Sequence, residues 1–384
     1  MATAEVTTER PGSREEAAEL LRSLGEAGRA VRPVGGRTKV DWGGLGEPIA
    51  VELETGGMAK ILEHNEGDLT AVLQAGVPLA EAQALFADAG QMFALDPPLG
   101  EGDATTIGGL VASADSGPLR HRYGGVRDLV LGITLALSDG TIAKAGSKVI
   151  KNVAGYDLGK LFTGSYGTLG LILDVTVRLH PKPVATATAF GASDDADVLA
   201  AAAMKLAALP LEADSLDAAW QQGSGRLLAR FGGASAGDQA EVAAEGMKEA
   251  GLDGVETTED DGELWAALRN AQRGTAVLKV SGRVTDLATA IRVTERAGGS
   301  LVSRAAHGLS WIALDAGDLA RRATDIRNDL QPRPVVLLDG PAGLRSDFDP
   351  WGPVDAGALQ VMRRIKERFD THRIFRPGAY LGGI

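Results

Sequence analysis

Three glycine-rich segments, each set against an apolar run, constrain this chain more than any other feature. Fifty-one of its 384 residues are glycine, where average usage is about 7%. They follow neither a collagen period nor a linker pattern. The first segment, Arg32-Pro-Val-Gly-Gly-Arg-Thr-Lys39, directly follows a short strand-like run from Ala30 to Pro33. Consecutive glycines accept positive φ and let backbone N–H groups approach an anion closely. Arg37, Thr38 and Lys39 add donors and charge, so a pyrophosphate fits; taken alone, a tight strand-to-loop turn fits equally well. Neither GxxxxGK[ST] nor GxGxxG is present, so this is neither a Walker loop nor a Rossmann fingerprint. The second segment, 96–117, reads as a long loop of small residues with Thr105, Thr106, Ser113 and Ser116 as hydroxyl donors. Such loops are uncommon in compact domains unless they serve a function. The third, 151–172, again punctuates an apolar run with glycines as it enters a strand.

Composition closes off several functions. The chain has no cysteine, which removes disulfides, thiolate zinc sites, Cys-ligated iron–sulfur clusters and flavin links through sulfur. Its net charge of −12 argues against a nucleic-acid binder, whose face is usually basic. No stretch approaches the roughly 18 apolar residues of a membrane span. The N-terminus lacks an apolar signal core, so a cytoplasmic location is expected.

Patterning predicts an α+β fold. Ser13 with Glu16 fits a capping box for a helix through Ala17, Leu20, Leu21 and Leu24, ended by Gly25 and Gly28. Strands are predicted at 30–33, 49–53, 69–75, 130–137, 141–145 and 171–179, with a helix opened by Pro78. The pair Pro181 and Pro183 marks a boundary. Beyond it, Ala-rich helices at 194–208, 236–250, 261–271, 286–297 and 317–329 alternate with short strands, as in a sheet covered by helices. The last segment carries a basic helix near 355–369. No repeat at a fixed period is visible in the sequence.

The motifs PVGGRTK (33–39), TTIGGLVASADSGP (105–118), YGGVRDLVLGITLALSDG (123–140) and KNVAGYDLGKLFTGSYGTLGL (151–171), in this order, resemble the PCMH-type, vanillyl-alcohol oxidase-like flavoproteins. Within that family the chain is similar to the second, FAD-binding subunits of glycolate oxidases. The resemblance implies a two-lobed FAD domain at 1–182, a ferredoxin-like α/β cap at 183–338, and a segment 339–384 that returns to the FAD domain. It implies FAD held by Val34, Gly35, Gly36, Arg37, Thr38 and Lys39 at the pyrophosphate. Pro98, Thr105, Thr106, Ile107, Gly108, Gly109, Ser113, Ser116 and Gly117 would flank the diphosphate and ring. Gly170 and Ile172 would meet the adenine end. Covalent relatives place a His where Arg37 stands, so non-covalent FAD is expected. The implied activity is oxidation of glycolate or a related 2-hydroxy acid, with electrons leaving through FAD to an iron–sulfur partner subunit, beside a catalytic flavin subunit. Any such complex would meet the membrane only peripherally.

Arg269, in the segment Trp265 to Arg269, matches the cap arginine that holds a substrate carboxylate in the relatives; a solvated helix arginine beside a core Trp is the alternative. Three departures stand out. The His-rich metal motif of catalytic relatives is reduced to His307-Gly308, so no metal is expected. Tyr166 stands where relatives read Glu, and Arg376 where they often read Asn. A non-catalytic FAD-binding relay subunit, or a stand-alone FAD oxidoreductase for another hydroxylated substrate, therefore remain as alternatives. Lys148 and Lys151 read as surface lysines or as counter-charges for reduced flavin. Asp157 reads as a helix cap, His180, His307 and His372 as structural, and 363–368 as a solvated face or a partner contact.

Overall fold

The computed structural model describes residues 6–148 and 156–384. Strand β1 (Thr7–Glu9) precedes helix α1 (Arg14–Glu26), which Ser13 caps by accepting the Glu16 N–H at 3.0 Å. The helix runs through Gly25 rather than ending there. Gly25 is instead a packing glycine, because a Cβ on it would lie 2.2 Å from the Ser138 carbonyl. Strands β2 (Val31–Val34) and β3 (Val51–Glu54) join β1 in a parallel sheet of order β1-β3-β2. The chain end returns here: Val31 N–H donates to Ile374 and Arg376 N–H to Val31, at 2.7 and 2.9 Å. Ile374 and Phe375 are buried in the core of this layer.

A second, antiparallel sheet has the order β4-β5-β9-β7-β8. It contains β4 (Ile61–Asn65), β5 (Thr70–Gln74), β7 (Val130–Ala136), β8 (Ile142–Gly146) and β9 (Leu171–Arg178), while β6 (Gln91–Met92) pairs with β10 (His180–Pro181). Helix α2 (Leu79–Asp88) packs Leu79, Ala82 and Phe86 into its core. The predicted loop 96–117 contains a helix, α3 (Ile107–Ser113), started by the Thr106 hydroxyl. Its signal was present as Ile107, Leu110 and Val111 at helical spacing, masked by the surrounding small residues. Helices α4 (Arg120–Tyr123), α5 (Val126–Leu129) and α6 (Leu158–Phe162) follow, the last capped by Asp157 as its sequence predicts.

Residues 186–337 form one eight-stranded antiparallel sheet, ordered β14-β11-β13-β12-β16-β17-β15-β18. Its strands are β11 (Thr186–Ser193), β12 (Ala213–Gln221), β13 (Ser224–Gly232), β14 (Asp253–Thr258), β15 (Ala276–Ser281), β16 (Ser300–Arg304), β17 (Leu309–Leu314) and β18 (Val335–Leu337). With α7 (Ala196–Ala208), α8 (Ala236–Glu249), α10 (Leu287–Arg296) and α11 (Leu319–Asp329), the order reads β-α-β-β-α-β twice. Each half is a ferredoxin-like unit, and β12 pairs with β16 to join them. The expected ferredoxin-like cap is thus a doubled one. The repeat lies in topology and not in sequence period, which is why the sequence does not display it. Helix α9 (Gly262–Asn270) links the halves, and α12 (Ala342–Asp347) and α13 (Ala356–Phe369) lead to the C-terminus. One sheet face packs alanines and leucines of the helices, and the other buries Trp265 and Trp311.

Candidate functional site

Residues 33–40, Thr106, Gly108, Gly109, Ala112, Ser113 and 170–172 line one open cleft of about 750 Å3, the solvent at its mouth included. Strand β2 delivers the first group, the start of α3 the second, and the entry to β9 the third. Among the described residues, the backbone N–H groups of Gly35, Gly36, Arg37, Thr38 and Lys39 donate to no protein acceptor. Five consecutive free donors make a nest for an anion. The N–H groups that open α3 are, by contrast, spent inside the protein: Ile107 donates to Val77, Gly108 to Ala75 and Gly109 to the Thr106 hydroxyl.

The glycines of the loop serve packing as well as exposure. A Cβ on Gly35 would lie 2.1 Å from Thr106 Oγ1, and one on Gly36 would lie 1.5 Å from the Ala104 carbonyl oxygen. Only glycine lets this loop sit against residues 104–106. The Arg37 guanidinium is engaged by Glu52 and Glu54 at 2.5 and 2.9 Å, pairs that hold its pKa above the usual guanidinium range. Lys39 is buried, with Nζ 3.4 Å from Asp115 and donating to Thr105 Oγ1 at 3.1 Å. Burial lowers its pKa and the nearby Asp115 opposes that.

Five of the residues singled out in sequence do not line this cleft. Pro98 and Thr105 stand behind the loop, where the Thr105 hydroxyl meets Thr38 Oγ1 at 3.2 Å. Ile107 is core. Ser116 and Gly117 lie toward the eight-stranded sheet, where the Ser116 carbonyl accepts from Gln272 at 3.0 Å. Conversely, Thr55, Ala75, Tyr166 and Arg376 line the cleft without having been assigned to it. For Tyr166 and Arg376 the departures from the family pattern were the available signal.

A second polar group sits between loop 96–117 and the sheet. Arg269 Nη1 is 3.8 Å from Asp96, which also accepts the Leu119 N–H at 2.9 Å. Burial raises the Asp96 pKa to about 6, against the opposing pull of that N–H and of Arg269. The wholly buried Arg304 donates to Asp217 at 2.6 Å and to Gln272, and stacks 4.7 Å from the Trp311 ring. Burial raises the Asp217 pKa and the Arg304 guanidinium counters it. The Lys279 ammonium, 5.8 Å from the same ring, has no hydrogen-bond or ion-pair partner among the described residues. Burial depresses its pKa. Lys279 was missed in sequence because nothing in the run Val277 to Val280 separates it from a strand residue pointing to solvent.

His307 packs edge-on against His121 at 5.4 Å, and His180 against Tyr123 at 4.8 Å. His372 packs beside Gly25. Lys148 pairs with Glu63 at the surface, and Lys151 lies outside the described residues. The basic run 363–368 is not uniformly solvated, since Lys366 is 7% exposed and its ammonium binds Thr168 O, Asp370 and Phe375 O at 2.7–2.8 Å. Among the described residues no three His, Asp or Glu side chains stand together as metal ligands would, and no helix is long and apolar enough to cross a membrane.

Comparison with known proteins bears on the cofactor. Residues 8–146 match the FAD binding domain. The chain is 34% identical over 200 residues to the mitochondrial D-lactate dehydrogenase [cytochrome] 1 of Saccharomyces cerevisiae, a match covering 51% of this chain and 33% of that protein. It is 37% identical over 143 residues to glycolate oxidase subunit GlcE of Escherichia coli, covering 37% of this chain and 41% of that protein. These matches span about a third of the length of the first and two fifths of the second. A solved alkyldihydroxyacetonephosphate synthase superposes with a TM-score of 0.71 at 15% identity, covering 96% of this chain and 76% of that one. The fold is therefore that of PCMH-type FAD-binding proteins, residues 8–146 correspond to an FAD binding domain, and the cofactor is FAD. The cleft fits that cofactor, with free N–H donors at 35–39 and small residues along its walls.

Proposed function

We propose that this chain is the FAD-binding subunit of a glycolate oxidase complex, taking part in the oxidation of glycolate or a related 2-hydroxy acid to the 2-oxo acid. The observation that carries the reading is the run of five unpartnered backbone donors in the cleft. In this reading the FAD diphosphate rests non-covalently on Gly35 to Lys39, and the adenine end meets 170–172. FAD, when bound, supplies the two-electron acceptor for the α-carbon hydride. Residues 1–182 and 339–384 act as the FAD unit and 183–338 as the cap. Lys279 and Arg269 offer positive charge for a substrate carboxylate, and Trp311 excludes water beside them. Electrons leave through an iron–sulfur partner, since this chain has no cysteine to ligate a cluster, and the similarity to GlcE supports a catalytic flavin subunit beside it. The location is cytoplasmic, with any membrane contact made through partners.

One observation favours a second reading, in which the chain carries FAD without turning over substrate. Arg269 already faces Asp96, and Arg304 already faces Asp217, so two cations of the cap are neutralised from within. An anaerobic titration separates the two. Yellow protein that bleaches with glycolate or D-lactate supports a complete active site on this chain. Yellow protein that reduces only with dithionite supports the carrier. Protein that takes up no FAD overturns both.

A further inference from the structure

A diphosphate in a half-buried cleft needs compensating positive charge, because desolvating an anion without a partner is costly. The sequence offers Arg37 and Lys39 for that task. The structure commits both elsewhere. Arg37 is shared between Glu52 and Glu54, and Lys39 faces Asp115 and donates to the Thr105 hydroxyl. Neither brings net charge to the cleft.

Arg376 does. It reaches the cleft wall from the C-terminal tail, far from the glycine loop in sequence. Its guanidinium donates only to backbone carbonyls: Tyr166 at 2.9 Å, Trp42 at 2.8 Å and Val40 at 3.4 Å. No carboxylate pairs with it among the described residues, and its Nε makes no hydrogen bond. Burial and the neighbouring Arg32 and Arg345 lower its pKa to about 10, with Tyr166 and Asp41 opposing. It is a cation with no carboxylate in ion-pair contact among the described residues.

Its backbone is held in a left-handed conformation. Arg376 has φ +41, and Arg37 and Tyr166 on the same cleft have φ +59 and +55. Left-handed conformations of bulky residues are costly and persist where the surroundings impose them. Here the imposing contacts are the Arg376 N–H to Val31 bond and the Lys366 ammonium on the Phe375 carbonyl. The side chain is thereby preorganised on the wall opposite no anion of the protein's own.

We propose that Arg376 is the counter-cation of the FAD diphosphate and the main charged determinant of cofactor affinity in this chain. The inference rests on the diphosphate lying at residues 35–39. The test is reconstitution of the full-length apoprotein with FAD, followed by flavin fluorescence at low and high salt, for wild type, Arg376→Gln, Arg376→Lys and Arg37→Gln. Loss of one desolvated charge pair predicts that Arg376→Gln raises the FAD Kd by about tenfold or more. It also predicts a flatter salt dependence, recovery of most of the affinity in Arg376→Lys, and a smaller effect of Arg37→Gln. Wild-type affinity in Arg376→Gln overturns the proposal. So does a loss that keeps the wild-type salt dependence and is not recovered by lysine, since that pattern is structural. Wild-type protein that binds no FAD overturns the placement of the cofactor itself, a separate result.

Discussion

Asp96 faces Arg269 across 3.8 Å at the seam between the FAD-binding unit and the eight-stranded sheet. The carboxyl group is held where its protonation changes within the working range of many enzymes, at about 6. An ordinary Asp ionises near 3.8, so between pH 4 and 6 the folded chain binds a proton that the unfolded chain has released. Stability therefore falls as pH rises through that window, by about 3 kcal/mol for this one group. Asp96→Asn removes the dependence. Denaturant unfolding of both proteins at pH 4 and pH 7 checks it; parallel pH profiles would refute the assignment.

The Arg304–Asp217 pair is wholly buried. Arg304→Met leaves the Asp217 carboxylate uncompensated and is expected to cost about 3–5 kcal/mol. Arg304→Met with Asp217→Leu together should recover much of that loss. Urea midpoints of the two single variants and the double variant give the coupling directly.

Gly36→Ala places a methyl group 1.5 Å from the Ala104 carbonyl. The glycine loop must move away from residues 104–106, and the row of free N–H donors moves with it. Purified Gly36→Ala should be colourless or flavin-depleted, yet folded. The ratio of visible flavin absorbance to protein absorbance reports the outcome, and full flavin content would count against the loop as the diphosphate seat.

Lys366 satisfies three buried acceptors that tie α13 to the Thr168 turn and to the Phe375 carbonyl. Lys366→Met strands them and should cost about 3 kcal/mol or more. Its effect should extend to FAD affinity, because the same tail carries Arg376. Thermal unfolding with and without added FAD measures both.

If substrate meets the cap cations, Lys279→Met should raise KM for a 2-hydroxy acid far more than it changes flavin content. Steady-state assays of the assembled complex, paired with flavin quantitation, check this. An unchanged KM would favour the carrier reading.

Much of the fold was legible because local rules decided it. The Ser13 and Asp157 caps, the alternation of β7 and β9, and the Ala-rich helices of the cap all follow from spacing and side-chain chemistry. The sequence also marked the loop that lines the cleft, because consecutive glycines after a strand suit either close approach of an anion or a tight turn. Other features were invisible for physical reasons. The doubled β-α-β-β-α-β unit shares topology without a shared residue period. The small residues around α3 hid a helix whose apolar face is only two turns long. Whether a charged side chain is free depends on neighbours that lie far away in sequence. Arg37 looked like the phosphate cation until Glu52 and Glu54 were placed beside it, and Arg376 looked like a tail residue until Val31 and Lys366 drew the C-terminus against the glycine loop. Local sequence determined the elements. Only tertiary structure decided which charges remain uncompensated, because that balance is set by long-range contacts and by the loss of water around them.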